Sequence, residues 1–430
     1  MKNFFHSMKL ILNRMKTKVS FAVGADRLNK EFLQFSGMHL MYLLATSITM
    51  VFVNTLLMRV AADPNTIALK YNMVHFVFVG LSMTWAAMFM KKFNNKVIIV
   101  IGVSLSMLTY LLTFIFMENL DQVYAIVAMV HGIATGFYWI IYFDSLLIYS
   151  NDDTRDLAMS FLGIFAGIIS LVMPLVSGAA IQNLPGFLGY YVVFGICFAI
   201  ATYAVYLVTK LPVVAPTGGK TKFRLLLKNI YTKKVWFFVI HMDFFKGIRE
   251  GAFSFFLNVL LFKIVQSEGL VGLNTTLVGV TSMISCIVAG KIMRPNNRMK
   301  LMLLGTTILT SLACILFFQL NTITILMLSI ANSFLGFFVV NPTTTTMYTV
   351  LELVPNANEL KTELISTSEC YKNFGRILGV LLIMVLPQTN FYYVLSLVIL
   401  TVTQYVTVLF AKITLKSAKN YAVVKENSEC

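Results

Sequence analysis

The chain has 430 residues, of which 58% are apolar and only 12% charged. So apolar a composition leaves no room for a large water-soluble domain. The net charge of +16 would point to nucleic acid in a soluble protein, but here the basic residues sit in short segments between apolar runs of about 20 residues, the length that crosses a bilayer.

Residues 1–34 combine Phe4, Phe5, Met8, Leu12, Met15 and Val19 at helical spacing with Lys2, Lys9, Arg14, Lys16 and Lys18. This pattern predicts an amphipathic helix lying on the cytoplasmic leaflet. Twelve spans follow, at 38–61, 70–90, 97–117, 123–148, 157–181 and 188–210, then 235–262, 270–290, 299–318, 322–346, 365–386 and 390–412. The segment 211–234 carries Pro212, Pro216, Gly218 and Gly219 and then Lys220, Lys222, Arg224, Lys228, Lys233 and Lys234. It marks a seam between a six-helix half at 35–210 and another at 235–413, with a tail at 414–430. Of the Lys and Arg residues, only Arg59, Lys70 and Lys263 fall at the outer ends of the spans, and most of the others crowd the inner segments. The positive-inside rule therefore places both termini and the central loop in the cytoplasm of an inner-membrane protein. The cysteines never pair up in an outer loop, so no disulfide is expected.

Met90-Lys-Lys-Phe-Asn94-Asn95-Lys96 after the second span is echoed by Met293-Arg-Pro-Asn296-Asn297-Arg298 after the eighth, at the same point of each half. Such a repeat supports two related halves. The 6+6 arrangement, with basic turns after spans two and eight, resembles the major facilitator superfamily. The resemblance implies an all-α membrane protein, a 12-transmembrane-helix bundle in two six-helix halves, acting in transmembrane transport. It assigns Lys91, Lys92, Lys96, Arg294 and Arg298 to the cytoplasmic loop motif, although the acid and the glycine usual in that motif are missing. In span five, Gly163, Gly167, Pro174 and Gly178 resemble an antiporter stretch with Met173 and Ser177 in place of two glycines, and small residues there also suit plain close packing. Ala128 stands where many proton-driven exporters carry an Arg. Lys246-Gly-Ile-Arg-Glu-Gly251, Asn373-Phe-Gly-Arg376-Ile-Leu-Gly379 and Asp152-Asp-Thr-Arg155-Asp156 are similar to stretches in bacterial members of the superfamily.

An ionisable side chain at the centre of a span costs about 2.5 to 3.5 kcal/mol and needs a partner, water or a function. Asp243, Lys246 and Glu250 in span seven share one helical face, and Arg249 projects about 100° away from Glu250 toward another helix. Glu369, Lys372 and Arg376 repeat the spacing in span eleven. The resemblance puts span seven on the central cavity and span eleven behind it. The two stripes are therefore candidates for a cavity or gating charge network, or for ion pairs that hold a gate state. Asp144, with no base in its own helix, and Glu250, deepest of the span-seven acids, are the candidates for proton coupling; Asp144 has Arg155 as the alternative partner.

His39, His75, His131 and His241 fall on four spans with no metal-ligand spacing, which predicts hydrogen-bonded packing residues rather than a metal site. Asn341-Pro342 before Thr343–Thr346 predicts a kink in span ten. No phosphate-binding loop or hydrolase constellation occurs, so the chain is expected to be neither an ATPase nor another enzyme and to need no cofactor. Phe244, Phe245, Phe253, Phe255 and Phe256 favour an amphiphilic ligand if they line the cavity. The expectation is proton-coupled efflux of a small molecule by a monomer whose other contacts are membrane lipids, with no nucleic acid. A lipid or glycolipid flippase and a non-transporting scaffold are the alternatives.

Overall fold

The computed structural model describes residues 28–149, 155–216, 218, 220–293, 296–353 and 360–429. Helices α1 (Lys30–Val60), α2 (Pro64–Phe89), α3 (Asn95–Ile115), α4 (Leu120–Tyr149), α5 (Arg155–Asn183) and α6 (Leu188–Thr209) form the first half. A short amphipathic helix, α7 (Phe223–Thr232), lies in the linker and buries Leu226 and Ile230. The second half comprises α8 (Lys234–Phe253), α9 (Phe256–Val265), α10 (Glu268–Ile292), α11 (Arg298–Ile315), α12 (Thr322–Leu353), α13 (Lys361–Val385) and α14 (Asn390–Glu429). Among the described residues there is no strand, and the chain is a multi-pass, all-α membrane protein.

Among the described residues, ten helices are long and apolar enough to cross a membrane. The two expected spans outside that group are the charged ones. Span seven is broken at Ser254–Phe255 into α8 and α9, where Phe255 leaves helical geometry (φ −137°, ψ −29°). The Ser254 hydroxyl donates to the Gly251 carbonyl at 2.8 Å, so part of the interrupted ladder is satisfied locally. Span eleven, α13, carries Lys361, Glu363, Glu369, Lys372 and Arg376, which lower its hydropathy. The expected kink at Pro342 is not a break: α12 runs through it. Thr343 and Thr344 donate to the Val340 carbonyl at 2.8 and 3.0 Å. The tail expected from 414 is continuous with α14. Residues 1–27 and 150–154 lie outside the described residues, so the amphipathic segment and the Asp152-Asp-Thr stretch are without a structural account.

One end of the bundle carries the 90–94 turn and the 211–222 linker and is called here the basic end; the other is the neutral end. At the neutral end a single apolar core joins both halves, running from Ile48, Phe52 and Leu56 of α1 through Tyr190 and Phe194 of α6 to Phe256 and Leu260 of α9 and Val271 of α10. At the basic end there are two separate cores. One lies in the first half around Phe35, Ile98 and Tyr138, and the other in the second around Trp236, Met302 and Leu364. Contacts between the halves run along α2 against α13 and α5 against α10. The second of these loosens toward the basic end. Gly178, Pro174 and Gly167 of α5 abut Glu268, Gly272 and Met283 of α10, but a methyl group on Gly163 would meet nothing within 4 Å.

Candidate functional site

The charged helices α8 and α13 cross at glycines on both sides. Gly247 and Gly251 on α8 face the backbone of Lys372 and Arg376, and Gly375 and Gly379 on α13 face the backbone of Phe244 and Ile248. Each helix thus presents a small-x-x-x-small pair, which lets the backbones approach and brings long charged side chains within reach of one another. Glu250 is the hub of the result. Its carboxylate lies 3.7 Å from Lys246 Nζ and 3.4 Å from Arg376 Nη2. Lys372 pairs with Glu369, and Arg376 also donates to Asn373 at 3.0 Å. Asp243, which the spacing alone offered to Lys246, instead accepts a hydrogen bond from Ser368 of α13.

Asp243, Lys246, Glu250, Glu369 and Lys372 line a cavity of about 220 Å³, together with Phe143 of α4, Val340, Thr344 and Met347 of α12, and Ile365 of α13. Phe143 comes from the first half and the rest from the second, so the cavity lies between the halves and toward the basic end. Arg249 does not line it. It turns into the second half, donates to Asn332 of α12, lies over the Phe253 ring, and at 3.1 Å meets the Gln404 amide of α14 when the oxygen of that amide faces it. Amides therefore solvate this buried guanidinium, as the partner that such a charge needs. None of the five span-seven phenylalanines lines the cavity either. Phe245 stacks on Phe410, Phe244 meets Phe374, Phe256 meets Tyr393, and Phe253 and Phe255 are buried. Phe253, Phe255 and Phe256 belong to the neutral-end core, while Phe244 and Phe245 are half-buried against α13 and α14.

Asp144 lies apart from Glu250, in a crevice of about 210 Å³ at the basic end lined by Met90, Phe93, Asn95, Ile98, Val214 and Ala215 among others. The residues of the loop motif tie that end together. Asn94 caps α3 by accepting from Val97 N at 3.1 Å, and Asn95 holds the linker through Val214 N at 2.8 Å. Lys96 donates to the Thr209 carbonyl at 2.9 Å, and Lys92 is exposed. Lys91 reaches across to Glu363, in the first turn of α13, at 3.8 Å. Arg298 opens α11, and Arg294 lies outside the described residues. Sequence reasoning missed the acid in this contact, Glu363. It also missed Arg59 and Glu268, which form a bidentate ion pair between α1 and α10 at the neutral end, with one bond at 2.6 Å. Tyr190 donates to the same carboxylate at 2.9 Å. Both members sit at span ends, where a charge reads as an ordinary loop charge. Their signal was scarcity, since few charges occur on that side. The histidines are not all scattered: His75 and His131 are side by side.

The sequence model described as Major Facilitator Superfamily matches residues 35–380. The uncharacterized protein YqgE of Bacillus subtilis (strain 168) is 25% identical over 391 residues, covering 89% of this chain and 90% of that one. Among solved structures, one described by its substrate recognition in proton-dependent oligopeptide transporters superposes with a TM-score of 0.68 at 11% identity, covering 91% of this chain and 99% of that one. A D-xylose–proton symporter superposes with a TM-score of 0.67 at 12% identity, over 88% and 96% of the two chains. At such identities the likeness to the solved structures is one of fold.

Proposed function

The chain belongs to the major facilitator superfamily, and from that premise we propose that it is a proton-coupled secondary transporter that exports a small amphiphilic solute. The observation that carries this reading is the division of the core. The halves share one core at the neutral end and have two at the basic end, with a charged cavity between them. Such a bundle can rock about its neutral end, the geometry that alternating access needs. The lysine and arginine bias makes the basic end cytoplasmic in a bacterial inner membrane, so the cavity loads from the cytoplasm.

The lining favours a solute with an apolar body and a charge. Phe143, Val340, Met347 and Ile365 supply apolar surface, and the paired charges supply exchangeable partners. A charged solute can displace one member of a pair, and a proton on the freed carboxylate keeps the cavity from holding an unpaired charge. Two solved structures of the same fold are described as a proton-dependent oligopeptide transporter and a D-xylose–proton symporter, and no solute is carried over from them.

The test is a screen of small amphiphiles by thermal stabilisation of the purified protein, because a ligand bound at 100 times its Kd adds about 2.7 kcal/mol. Hits are then followed in proteoliposomes under an imposed pH gradient. A solute that stabilises the protein and moves with the gradient, and does neither in a Glu369→Gln/Lys372→Gln variant, supports the reading. Gradient-independent movement, or stabilisation that survives that variant, overturns it. Reporter fusions after Gly219 and at the C-terminus should read as cytoplasmic, and an external reading of the linker would sink the orientation.

A further inference from the structure

We propose that His75 and His131 together hold one exchangeable proton, and that its charge, facing Arg376, loosens the α2–α13 contact through which the two halves meet. This deepens the transporter reading, on which it rests for its purpose, by adding a proton site in the first half to the one on the cavity acids.

The pair is created by backbone proximity. A methyl group on Gly132 of α4 would fall 2.5 Å from the His75 carbonyl oxygen of α2, so the two helices touch there and the rings lie 4.3 Å apart between centroids. Both side chains are buried, at 2% and 3% exposure. His131 Nδ1 bonds the Tyr71 hydroxyl at 2.8 Å. His75 Nδ1 has no partner at all. Whichever tautomer His75 takes, that nitrogen leaves a lone pair or an N–H unmet in a buried site, a cost that an apolar side chain of the same shape would avoid. A ring kept there against that cost suits a group that binds a proton in another conformation. The proton adds to a ring lone pair and returns to water, so the step needs no further reagent.

The surroundings determine what the added charge does. From α13, Arg376 reaches the α2 turn that carries His75, with its guanidinium 5.5 Å from the centroid of Phe76, the next residue, and its charge acts on His75. Its carboxylate partner is Glu250 of α8. Within α2 the titratable neighbour is Tyr71, and from α3 the buried Tyr110 hydroxyl lies near Tyr71. From α1 the contact is the uncharged Asn54, through Asn72. A protonated His75 therefore puts a second cation beside Arg376. The two repel across the α2–α13 contact, and the net charge of the site favours Glu250 as counter-ion over its pairing with Lys246.

Cys370 of α13 is a native reporter for that contact, because its thiol packs against Gly80 of α2, 3.3 Å from the carbonyl oxygen. Labelling by N-ethylmaleimide, read by mass spectrometry as the ratio of Cys370 to Cys314, should rise severalfold as pH falls from ~8 to ~4, a span that takes in the ordinary imidazole range and extends below it. Thiols alone would react more slowly at the lower pH, and the ratio cancels that shared trend. His75→Gln and His131→Gln should flatten the profile, His39→Gln should not, and Tyr71→Phe, which keeps both imidazoles, should shift its midpoint. Histidine-ring nuclear magnetic resonance provides a second measurement. Replacing either member should move the other's midpoint by roughly 1 pH unit, the size that marks coupled titration. The proposal is overturned by a ratio that falls or stays level in the wild type, by a profile that survives both histidine variants, or by midpoints that ignore each other. Neither measurement needs a substrate, so a failure to find one leaves this test intact.

Discussion

Gly251→Ala tests whether the glycine crossing of α8 and α13 builds the charged cavity. The added methyl would fall 2.5 Å from Arg376 Cβ and 2.6 Å from its Cα, where ordinary contact begins at 3.4 Å. Relief requires the helices to part by about 0.9 Å, since the Cα and Cβ of Arg376 are fixed by its backbone and cannot swing away. The Arg376–Glu250 contact, 3.4 Å in the structure, would stretch to roughly 4.3 Å and lose most of its hydrogen-bond character. Overpacking of this kind costs about 1 to 3 kcal/mol, and alanine returns up to ~1 kcal/mol in helix propensity. With the full ~1 kcal/mol returned, the net loss is between about 0 and 2 kcal/mol, or at most roughly 4 to 8 °C in Tm for a unit the size of one half. Gly163→Ala supplies the opposite sign: nothing lies within 4 Å of its added methyl, so only the propensity gain remains. Thermal unfolding of the two variants in one detergent, read by fluorescence-detected gel filtration, gives the comparison. If Gly251→Ala is as stable as Gly163→Ala, the crossing is not close-packed and the cavity geometry described above is wrong.

Arg59→Gln should cost about 1 to 3 kcal/mol, below the usual value for a broken buried pair, because Glu268 is 1% exposed but Arg59 is 42% exposed. Thermal melts of Arg59→Gln, Glu268→Gln and the double variant should show a coupling above ~0.5 kcal/mol, and simple additivity would deny the latch. Glu363→Gln should speed tryptic cleavage after Lys220 and Lys222, because the Lys222 backbone donates to the Glu363 carboxylate at 3.0 Å; an unchanged cleavage rate would show that the linker is held elsewhere. Glu250→Gln should lower the folded yield by leaving Lys246 and Arg376 without their shared carboxylate, and a second change, Lys246→Gln, should recover part of it; no recovery would mean that the pair is not energetically coupled. For proton coupling, Asp144→Asn and Glu250→Gln should each abolish gradient-driven accumulation while sparing solute exchange, and full pH-driven transport in both would remove these acids from the coupling reaction.

The parts of the molecule legible in its sequence were those written locally. Apolar runs located the helices, and the i, i+3, i+7 spacing put Asp243, Lys246 and Glu250 on one face. Which charges meet was not legible, because that depends on where α8 and α13 cross. Spacing allowed Lys246 either acid, and the crossing gave Glu250 a second base from another helix while Ser368 took Asp243. The glycines that set the crossing stood in plain view, as Gly247 and Gly251 and as Gly375 and Gly379, but a small-residue pair does not name the helix it faces. Arg59 and Glu268 are 209 positions apart, beyond any local pattern. The break at Ser254–Phe255 was hidden because the apolar run continues through it, and a hydropathy window sees composition rather than the ladder.

The two contacts that close the bundle have the same polarity, which limits how the halves can move. At the neutral end the base, Arg59, comes from the first half and the acid, Glu268, from the second. At the basic end Lys91 comes from the first half and Glu363 from the second. The two latches sit on different helix pairs, α1 with α10 and α2 with α13, so one can open while the other holds. In the present conformation both are made, and the division at the basic end lies instead between the cores of α4 and α12, where the cavity is. Opening the neutral end must break the Arg59–Glu268 pair and expose a nearly buried carboxylate, which Tyr190 and the first turn of α10 partly compensate. Each closed state is thus held by a small number of identifiable charges, and the cavity charges, balanced once Arg376 on Glu250 is counted with them, leave that equilibrium free to respond to a bound solute or proton.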